Sequence, residues 1–105
     1  MNNEAQLRLS DAKVELDRWR IHRGGKTYAL TPMEHRLLSW LVANPNRVFS
    51  QSELLEQVWR YRRGVHSRTV YSTIQRLRKK LEVNPSHPRH IISVYGAGYC
   101  LDMAG

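Results

Sequence analysis

Cysteine is nearly absent from this sequence, because Cys100 is the only one among 105 residues. A single thiol cannot form an intramolecular disulfide, and without clustered Cys, His or carboxylate ligands it makes no zinc site. The sequence also lacks an apolar run of about 18 residues, and its start lacks the basic and apolar segments of a signal peptide. We therefore expect a soluble, cytoplasmic chain without a membrane segment, a metal or another cofactor.

Acidic residues are also few. Nine Asp and Glu stand against 17 Lys and Arg, which gives a net charge of +8 and a pI near 10.3. No acid occurs from Gln57 through Leu81, whereas eight of the 17 basic residues lie between Arg60 and Lys80. Such concentrated positive charge predicts a polyanionic partner. The length and hydrophobic content suit one folded domain, which we predict over residues 1–105.

Residues before position 31 alternate between apolar and polar types. The alternating apolar pairs are Leu7 and Leu9, Val14 and Leu16, Trp19 and Ile21, and Tyr28 and Leu30. A period of two is typical of strands that bury one face, and the pairs Ser10-Asp11 and Gly24-Gly25 are turn signals between them. The pattern predicts an antiparallel meander of three or four short strands.

Two capping boxes predict two helices in the middle of the chain. Thr31 precedes a proline and is followed three residues later by Glu34, which predicts the start of a first helix. This helix ends at Asn44, because the residue before a proline is disfavoured in helical geometry. Ser50 and Glu53 form the second box and predict a short second helix.

A third helix and a hairpin follow. The stretch HSRTVYSTIQRLRKKLE predicts a helix at about 67–82, with Ser67 or Thr69 as its cap. After it, IISVYGAGYCL predicts a β-hairpin at about 92–101 that turns at residues 96–98. Two helices that lead into a basic third helix and a hairpin predict an α+β protein with a winged helix-turn-helix.

The third helix has one apolar face and one basic face at about 100° per residue. The inward stripe is predicted to contain Val70, Ile74, Leu77 and Leu81. The outward face contains Arg68, Ser72, Gln75, Arg76 and Lys79, flanked by Tyr71, Arg78 and Lys80. Most charged helix faces are only solvated, but such faces mix charges of both signs, and this one has no acid. Because Arg, Gln, Ser and Thr read base edges, the pattern favours double-stranded DNA as the ligand.

Four segments together resemble a known family. They are LTPMEHRLL, NPNRVFSQSELLEQVW, SRTVYSTIQRLRKKLE and NPSHPRHIISVYGAGYCL. In order and spacing they resemble the C-terminal effector domain of OmpR/PhoB-type response regulators, with a core at about 7–102. The resemblance implies a four-stranded N-terminal antiparallel sheet, three helices and a C-terminal hairpin wing. It also implies that the partner is promoter DNA, bound by tandem head-to-tail copies. We therefore expect a cytoplasmic protein that is associated with the nucleoid when bound.

The resemblance also implies roles for individual residues. Arg68 matches a backbone-contacting position, Ser72 and Thr73 match base-facing positions, Arg76 matches a major-groove arginine, and Arg78 matches a phosphate contact. With the outward face and the basic loop added, the predicted base readers are Ser72, Thr73, Gln75 and Arg76. The predicted backbone contacts are Arg60, Arg62, Arg63, Arg68, Thr69, Arg78 and Lys79. The predicted wing residues, at the adjacent minor groove, are Ser93, Tyr95, Gly96, Ala97, Gly98 and Tyr99.

The chain departs from the family at several positions. Tyr95 stands where many relatives carry a basic wing residue, Tyr71 where an acid is common, and Gln75 where Arg is common. The loop 59–66 is more basic than its counterpart, which in relatives can contact RNA polymerase, so its arginines are also candidates for phosphate contacts. The receiver domain of the family, with its phospho-accepting aspartate, is not present in these 105 residues.

Other kinds of site are weaker in this sequence. His87 and His90 lie in a proline-containing loop without further ligands, and no nucleophile motif frames any serine, so we predict neither a metal site nor catalysis. We interpret Trp19, Trp40 and Trp59 as core anchors rather than a base-stacking platform. The alternative function is a winged-helix module that binds an acidic protein, although the outward face lacks apolar anchors. An RNA-binding domain is the third option.

Overall fold

A computed structural model describes residues 5–104 of the chain. Four strands come first: β1 (Gln6–Leu9), β2 (Ala12–Glu15), β3 (Arg20–Arg23) and β4 (Lys26–Ala29). Three helices follow, namely α1 (Pro32–Ala43), α2 (Gln51–Gln57) and α3 (Thr69–Leu81). The described chain ends with a hairpin of β5 (Ile91–Val94) and β6 (Gly98–Leu101). This is the predicted winged helix-turn-helix with an N-terminal sheet.

The N-terminal sheet is a four-stranded antiparallel meander in the order β1-β2-β3-β4, which decides between the three and four strands predicted. Leu7, Val14, Ile21 and Tyr28 pair in one cross-strand row. Val14 and Ile21 are completely buried, so this row faces the helices. The alternate positions carry the polar row of the outer face: Arg8, Lys13, His22 and Thr27. Period-two patterning therefore set the two faces as expected.

The connection between β2 and β3 differs from the prediction. Leu16–Arg18 form a short 3-10 turn instead of extending a strand, and Trp19 adopts a left-handed conformation with φ of 56°. Trp19 is 42% exposed and stacks on the ring of His35, with 4.1 Å between the ring centroids. The prediction of Trp19 as a core anchor is wrong, because the reversal of the chain turns its side chain outward. Trp59, by contrast, is buried.

Both predicted capping boxes are present. In α1 the Thr31 hydroxyl accepts from the Glu34 amide at 3.3 Å, and the Thr31 amide donates to the Glu34 carboxylate at 3.0 Å. In α2 the Ser50 hydroxyl and the Glu53 carboxylate make the equivalent pair at 3.0 and 2.9 Å. These contacts satisfy amides that have no partner inside the helix, which explains why both helices begin where the sequence predicts.

Helix α3 is shorter than the predicted span 67–82. It begins at Thr69, and its N-cap is Arg68, which makes no side-chain capping hydrogen bond, so the prediction of Ser67 or Thr69 as the cap is wrong. The Ser67 hydroxyl accepts from the Thr69 amide at 3.2 Å in the turn before the helix. It ends at Leu81, and Glu82 is already extended. The predicted inward stripe is confirmed, since Val70, Ile74, Leu77 and Leu81 are all at most 1% exposed. They join the core that also receives side chains from the sheet, α1, α2 and the hairpin.

The hairpin is attached to the connection between α1 and α2. Phe49 and Tyr99 exchange backbone hydrogen bonds of 2.8 and 2.9 Å and form an antiparallel bridge. Gly98 allows this close approach, because a Cβ atom there would lie 2.0 Å from the Phe49 carbonyl oxygen. The hairpin begins at Ile91, one residue before its predicted start. The hairpin is therefore fixed to the body of the protein along β6.

The predicted bounds of the domain are only partly covered by the structure. Residues 1–4 and 105, which the prediction includes, lie outside the described residues. Within 5–104, no helix is both long enough and apolar enough to span a membrane.

Candidate nucleic-acid interface

The outward face of α3 is polar and basic, as the sequence predicts. Ser72, Arg76 and Lys79 are exposed, and Gln75 is half-buried beside them. Arg68 lies at the N-terminal end of the helix, where its guanidinium sits 5.2 Å from the centre of the Tyr71 ring. These side chains form a continuous strip along the helix. It is about as long as the helix itself and wide enough to face a groove of double-stranded DNA.

Thr73 does not belong to this strip. It is completely buried, and its hydroxyl accepts a hydrogen bond from Arg76 Nη2 at 3.1 Å. At about 100° per residue, Thr73 lies only about 60° from Val70, which places it at the edge of the apolar stripe. The structure contradicts its prediction as a base reader, because a side chain that packs into the core cannot reach a base edge.

Arg78 is also turned away from solvent. It is 7% exposed and donates Nε to the Ile91 carbonyl at 3.0 Å, Nη1 to Gln75 Oε1 at 3.1 Å, and Nη2 to Ser93 Oγ at 2.9 Å. Burial lowers the pKa of this guanidinium, against the opposing charges of Tyr99 and Glu82. The structure contradicts the prediction that Arg78 contacts phosphate. Its position on the flank of the helix directs it to the hairpin instead.

The acid that pairs with the basic side chains of α3 comes from another part of the chain. Glu34, in the first turn of α1, is completely buried and lies between Arg76 and Lys80 of α3. Its carboxylate accepts from Arg76 Nε at 3.2 Å and from Lys80 Nζ at 2.5 Å. Burial by itself raises the pKa of Glu34, but the hydrogen bonds from Lys80 and Thr31 and the charge of Lys80 outweigh it and lower the pKa. Sequence reasoning recognised Glu34 only as a capping residue.

Arg76 keeps a free edge despite this pairing. Its Nε and Nη2 atoms each make one internal hydrogen bond, to Glu34 and Thr73, while 51% of its side chain remains exposed. A guanidinium has five N–H donors, so an outward-facing edge remains for a ligand. Because the inner edge is held at two points, Arg76 is presented in a defined orientation.

The loop between α2 and α3 carries three further arginines. Arg60, Arg62 and Arg63 are exposed, and none of them makes a side-chain hydrogen bond or ion pair with another residue of the described chain. Buried Trp59 fixes one end of the loop, and the Tyr61 amide donates to the Leu55 carbonyl at 2.9 Å. The predicted backbone contacts in this loop therefore have their charges available to a ligand.

The wing has an exposed tip and a buried base. Tyr95 is fully exposed, Gly96 and Ala97 are exposed with it, and the Ser93 side chain reaches solvent beside α3. Tyr99 is only 7% exposed and packs inward from β6. The structure contradicts Tyr99 as part of the wing's contact surface, because alternate residues of β6 point to the core. No Lys, Arg, Asp or Glu occurs from Ile91 through Leu101, so the wing itself is uncharged.

The two histidines of HPRH do not form a metal site. His90 is buried, with Nε2 at 2.9 Å from the Ser10 hydroxyl and Nδ1 at 3.0 Å from the Asp102 carbonyl oxygen. Both ring nitrogens of His90 are thus used within the fold. Among residues 5–104, no group of three metal-binding side chains is brought together.

This combination of fold and surface matches a known family. The family described as "Transcriptional regulatory protein, C terminal" matches residues 25–101 of the chain. The chain belongs to this family. The match encloses α1, α2, α3 and the wing, and therefore all the predicted site residues of this C-terminal regulatory domain.

Individual relatives agree with this assignment of the C-terminal regulatory domain. The chain is 39% identical over 93 residues to the DNA-binding response regulator MtrA of Mycobacterium tuberculosis, covering 89% of this chain and 41% of MtrA. It is 42% identical over 93 residues to the KDP operon regulator KdpE of Escherichia coli, again covering 89% and 41%. The chain spans about two fifths of the length of these curated relatives.

A solved structure confirms the predicted fold and resemblance. The response regulator DrrB of Thermotoga maritima, described as an OmpR/PhoB homolog, superimposes with a TM-score of 0.78 at 30% identity, covering 93% of this chain and 44% of DrrB. The C-terminal regulatory domain is therefore of the OmpR/PhoB type, with the winged helix-turn-helix that its sequence predicts.

Proposed function

We propose that this chain binds double-stranded DNA sequence-specifically as the DNA-binding part of a bacterial two-component transcription regulator. The proposal rests on the strip along the outward face of α3. There the oriented guanidinium of Arg76, the amide of Gln75 and the hydroxyl of Ser72 lie among basic side chains, and no acidic side chain at the surface neutralises them. A relative of the same family, MtrA, is named a DNA-binding response regulator. The proposal includes no catalytic step.

The strip divides into residues that read bases and residues that hold phosphates. Ser72, Gln75 and Arg76 occupy its centre, and we assign them to base edges in the major groove. The phosphate contacts lie around this centre and fix the register without carrying sequence information. They are Arg68, Thr69 and Lys79 of the helix region and Arg60, Arg62 and Arg63 of the loop.

The wing would contact the adjacent minor groove without a cation. Tyr95 is fully exposed at its tip and supplies an aromatic ring with one hydroxyl, while Gly96 and Ala97 leave the tip narrow. A hydroxyl contacts sugar and phosphate oxygens but does not gain the electrostatic advantage that arginine has in a narrow groove. The proposed wing contact is therefore weak in affinity and positional in character.

Three finer features of the whole regulator are also proposals. Tandem head-to-tail copies on promoter DNA follow from the OmpR/PhoB type, and binding would place the regulator at the nucleoid in the cytoplasm. In the loop 59–66, Tyr61 and Val65 are 42% and 40% exposed, so this loop offers apolar contacts to RNA polymerase as well as arginines to phosphate.

The proposal is tested by the salt dependence of duplex binding with a matched pair of variants. Arg68→Ala/Lys79→Ala removes two cations from the strip, and Arg8→Ala/Lys26→Ala removes two exposed cations from β1 and β4. Each phosphate contact contributes roughly 0.9 to the slope of log K against log salt, so the first variant should lower the slope by about two. The sheet variant should leave it unchanged.

Two results would contradict the proposal. Equal losses in both variants would mean that net charge alone drives binding. Failure of the wild-type chain to bind duplexes at moderate salt would favour an acidic protein as the partner of the basic face.

A further inference from the structure

A line of hydrogen bonds runs from the exposed face of α3 to the wing. Gln75 Nε2 donates to the Tyr71 hydroxyl at 3.1 Å, and Gln75 Oε1 accepts from Arg78 Nη1 at 3.1 Å. Arg78 then reaches the wing, where Nη2 donates to Ser93 Oγ at 2.9 Å and Nε donates to the Ile91 carbonyl at 3.0 Å. We call these four side chains the relay: Tyr71, Gln75, Arg78 and Ser93.

The relay fixes the orientation of the Gln75 amide. Arginine has donors only, so the atom of Gln75 that faces Arg78 must be the oxygen, and the nitrogen must face Tyr71. Each end of the amide retains one unused group, an N–H on the nitrogen and a lone pair on the oxygen. A donor and an acceptor held side by side match N7 and the N6 amino group of adenine in the major groove.

The same guanidinium fixes the start of the wing. Arg78 holds the Ile91 carbonyl, while buried Glu82 accepts from the amides of Ile91 at 2.7 Å and His90 at 3.1 Å. Arg78 and Glu82 both belong to the end of α3 or the residue after it. The first residue of β5 is therefore held by Arg78 of α3 and by Glu82, the residue that follows α3, which fixes the start of the wing relative to the helix.

We infer that Arg78 is a positioning residue for DNA recognition, which holds the Gln75 amide for adenine and the wing for the adjacent minor groove in one arrangement. This inference rests on the proposed function. It replaces the phosphate contact predicted for Arg78, and it assigns a base preference to Gln75. Arg78 contacts both Gln75 and the wing. Loss of its guanidinium would therefore weaken the discrimination between DNA sequences without removing a phosphate contact.

The test uses Arg78→Lys, which keeps the charge but lacks the planar fork that reaches three separate acceptors, with Lys26→Arg on the exposed side of β4 as its control. Duplexes selected from a random pool by the wild-type chain should show a preferred adenine at one position, and Gln75→Ala should abolish that preference. Arg78→Lys should reduce the preference roughly tenfold with an unchanged salt slope. The double variant Gln75→Ala/Arg78→Lys should lose no more of the adenine preference than Gln75→Ala alone, and Lys26→Arg should retain that preference.

Ser93→Ala provides a second variant that leaves the buried part of Arg78 in place. It should weaken hydroxyl-radical protection of the minor groove next to the adenine while the thermal unfolding temperature stays near that of the wild type. A drop of about one in the salt slope of Arg78→Lys would instead make Arg78 a phosphate contact and overturn the inference. An adenine preference that survives Arg78→Lys would overturn it as well.

A measurement without DNA separates this inference from the proposed function. In NMR spectra of the free protein, Arg78→Lys should shift the Gln75 side-chain amide signals and speed hydrogen exchange in β5, whereas Lys26→Arg should do neither. If the Gln75 amide signals and the exchange in β5 change in Arg78→Lys but the wild-type chain binds no duplex, the proposed function is wrong while the positioning role of Arg78 is supported. If Gln75 and β5 are unaffected, the positioning role of Arg78 is wrong whatever the chain binds.

Discussion

Glu34 performs two tasks. Its backbone and carboxylate complete the capping box of α1, and the same carboxylate pairs with Arg76 and Lys80 of α3. One buried acid therefore restrains Arg76 of the proposed DNA-binding strip and Lys80 beside it. Restraint of Arg76 favours a defined contact with a base over a mobile contact with phosphate.

Glu34→Gln should increase affinity for nonspecific duplexes and reduce the ratio of specific to nonspecific affinity. The amide still caps the helix, but it no longer neutralises Arg76 and Lys80, so the salt slope should rise by about one. Loss of the ion pairs should also lower the free energy of unfolding by about 1–2 kcal/mol. Glu53→Gln makes the same change in the capping box of α2 and should alter neither affinity. An unchanged nonspecific affinity in Glu34→Gln would contradict the proposed restraint.

Glu15 supplies a prediction for pH. Its pKa is lowered from 4.5 to about 2, first by the hydrogen bond from Arg20 at 2.7 Å and then by the one from His22. A depressed carboxyl pKa stabilises the fold above pH 4.5, and this stabilisation is lost as the pH falls through 2. Wild type should therefore unfold at a higher temperature than Glu15→Gln at pH 7, and the gap should close towards pH 2. A gap that stays constant over that range would contradict the assignment.

The sequence predicted part of the candidate nucleic-acid interface. The angular positions on α3 correctly separate the apolar stripe from Ser72, Arg76 and Lys79. Residues on the flanks could not be assigned in this way, because a side chain at about 60–80° from the stripe turns inward or outward according to its partners. Thr73 and Arg78 are such cases. Glu34 was missed because the contact spans 42 residues and no local pattern records it.

The position of the wing relative to the helices depends on how the hairpin is attached. The pairing of Phe49 with Tyr99 fixes the second strand of the hairpin, and a contact from α3 fixes its first strand. Sequence patterns predicted the hairpin and its glycine turn, but not this attachment, since an isolated bridge between distant residues has no periodic signal. The sheet is tied to the same helix, because Arg23 donates to the carbonyls of Lys79 and Lys80 at 3.2 Å each.

Gly98→Ala should be much more destabilising than Gly96→Ala. Both glycines have positive φ, at +140° and +73°, but a Cβ atom at Gly98 would lie 2.0 Å from the backbone oxygen of Phe49, while the space at Gly96 is open. We expect a loss of roughly 2–4 kcal/mol for Gly98→Ala and about 1 kcal/mol for Gly96→Ala in urea unfolding. Similar losses for the two variants would show that the bridge does not hold the wing.

Charge is unevenly distributed along the chain. The net charge of +8 is concentrated from Arg60 to Lys80, and the acids nearest to α3 are buried in pairs and caps. Repulsion among exposed cations costs stability in the free protein, and bound phosphates would relieve it. This charge distribution suits a polyanionic ligand, and the oriented residues that we propose as base readers on α3 would add sequence selection to the electrostatic attraction.

Above all, we propose that the exposed strip of α3 selects a DNA sequence. The most direct measurement is the binding of the chain to a pool of random duplexes across a salt series, followed by sequencing of the bound fraction. We expect log K to fall steeply with log salt and a half-site to be enriched, repeated at a spacing of one helical turn. A steep fall without any enriched sequence would contradict the claim, because it would leave only nonspecific attraction between the basic strip and phosphate.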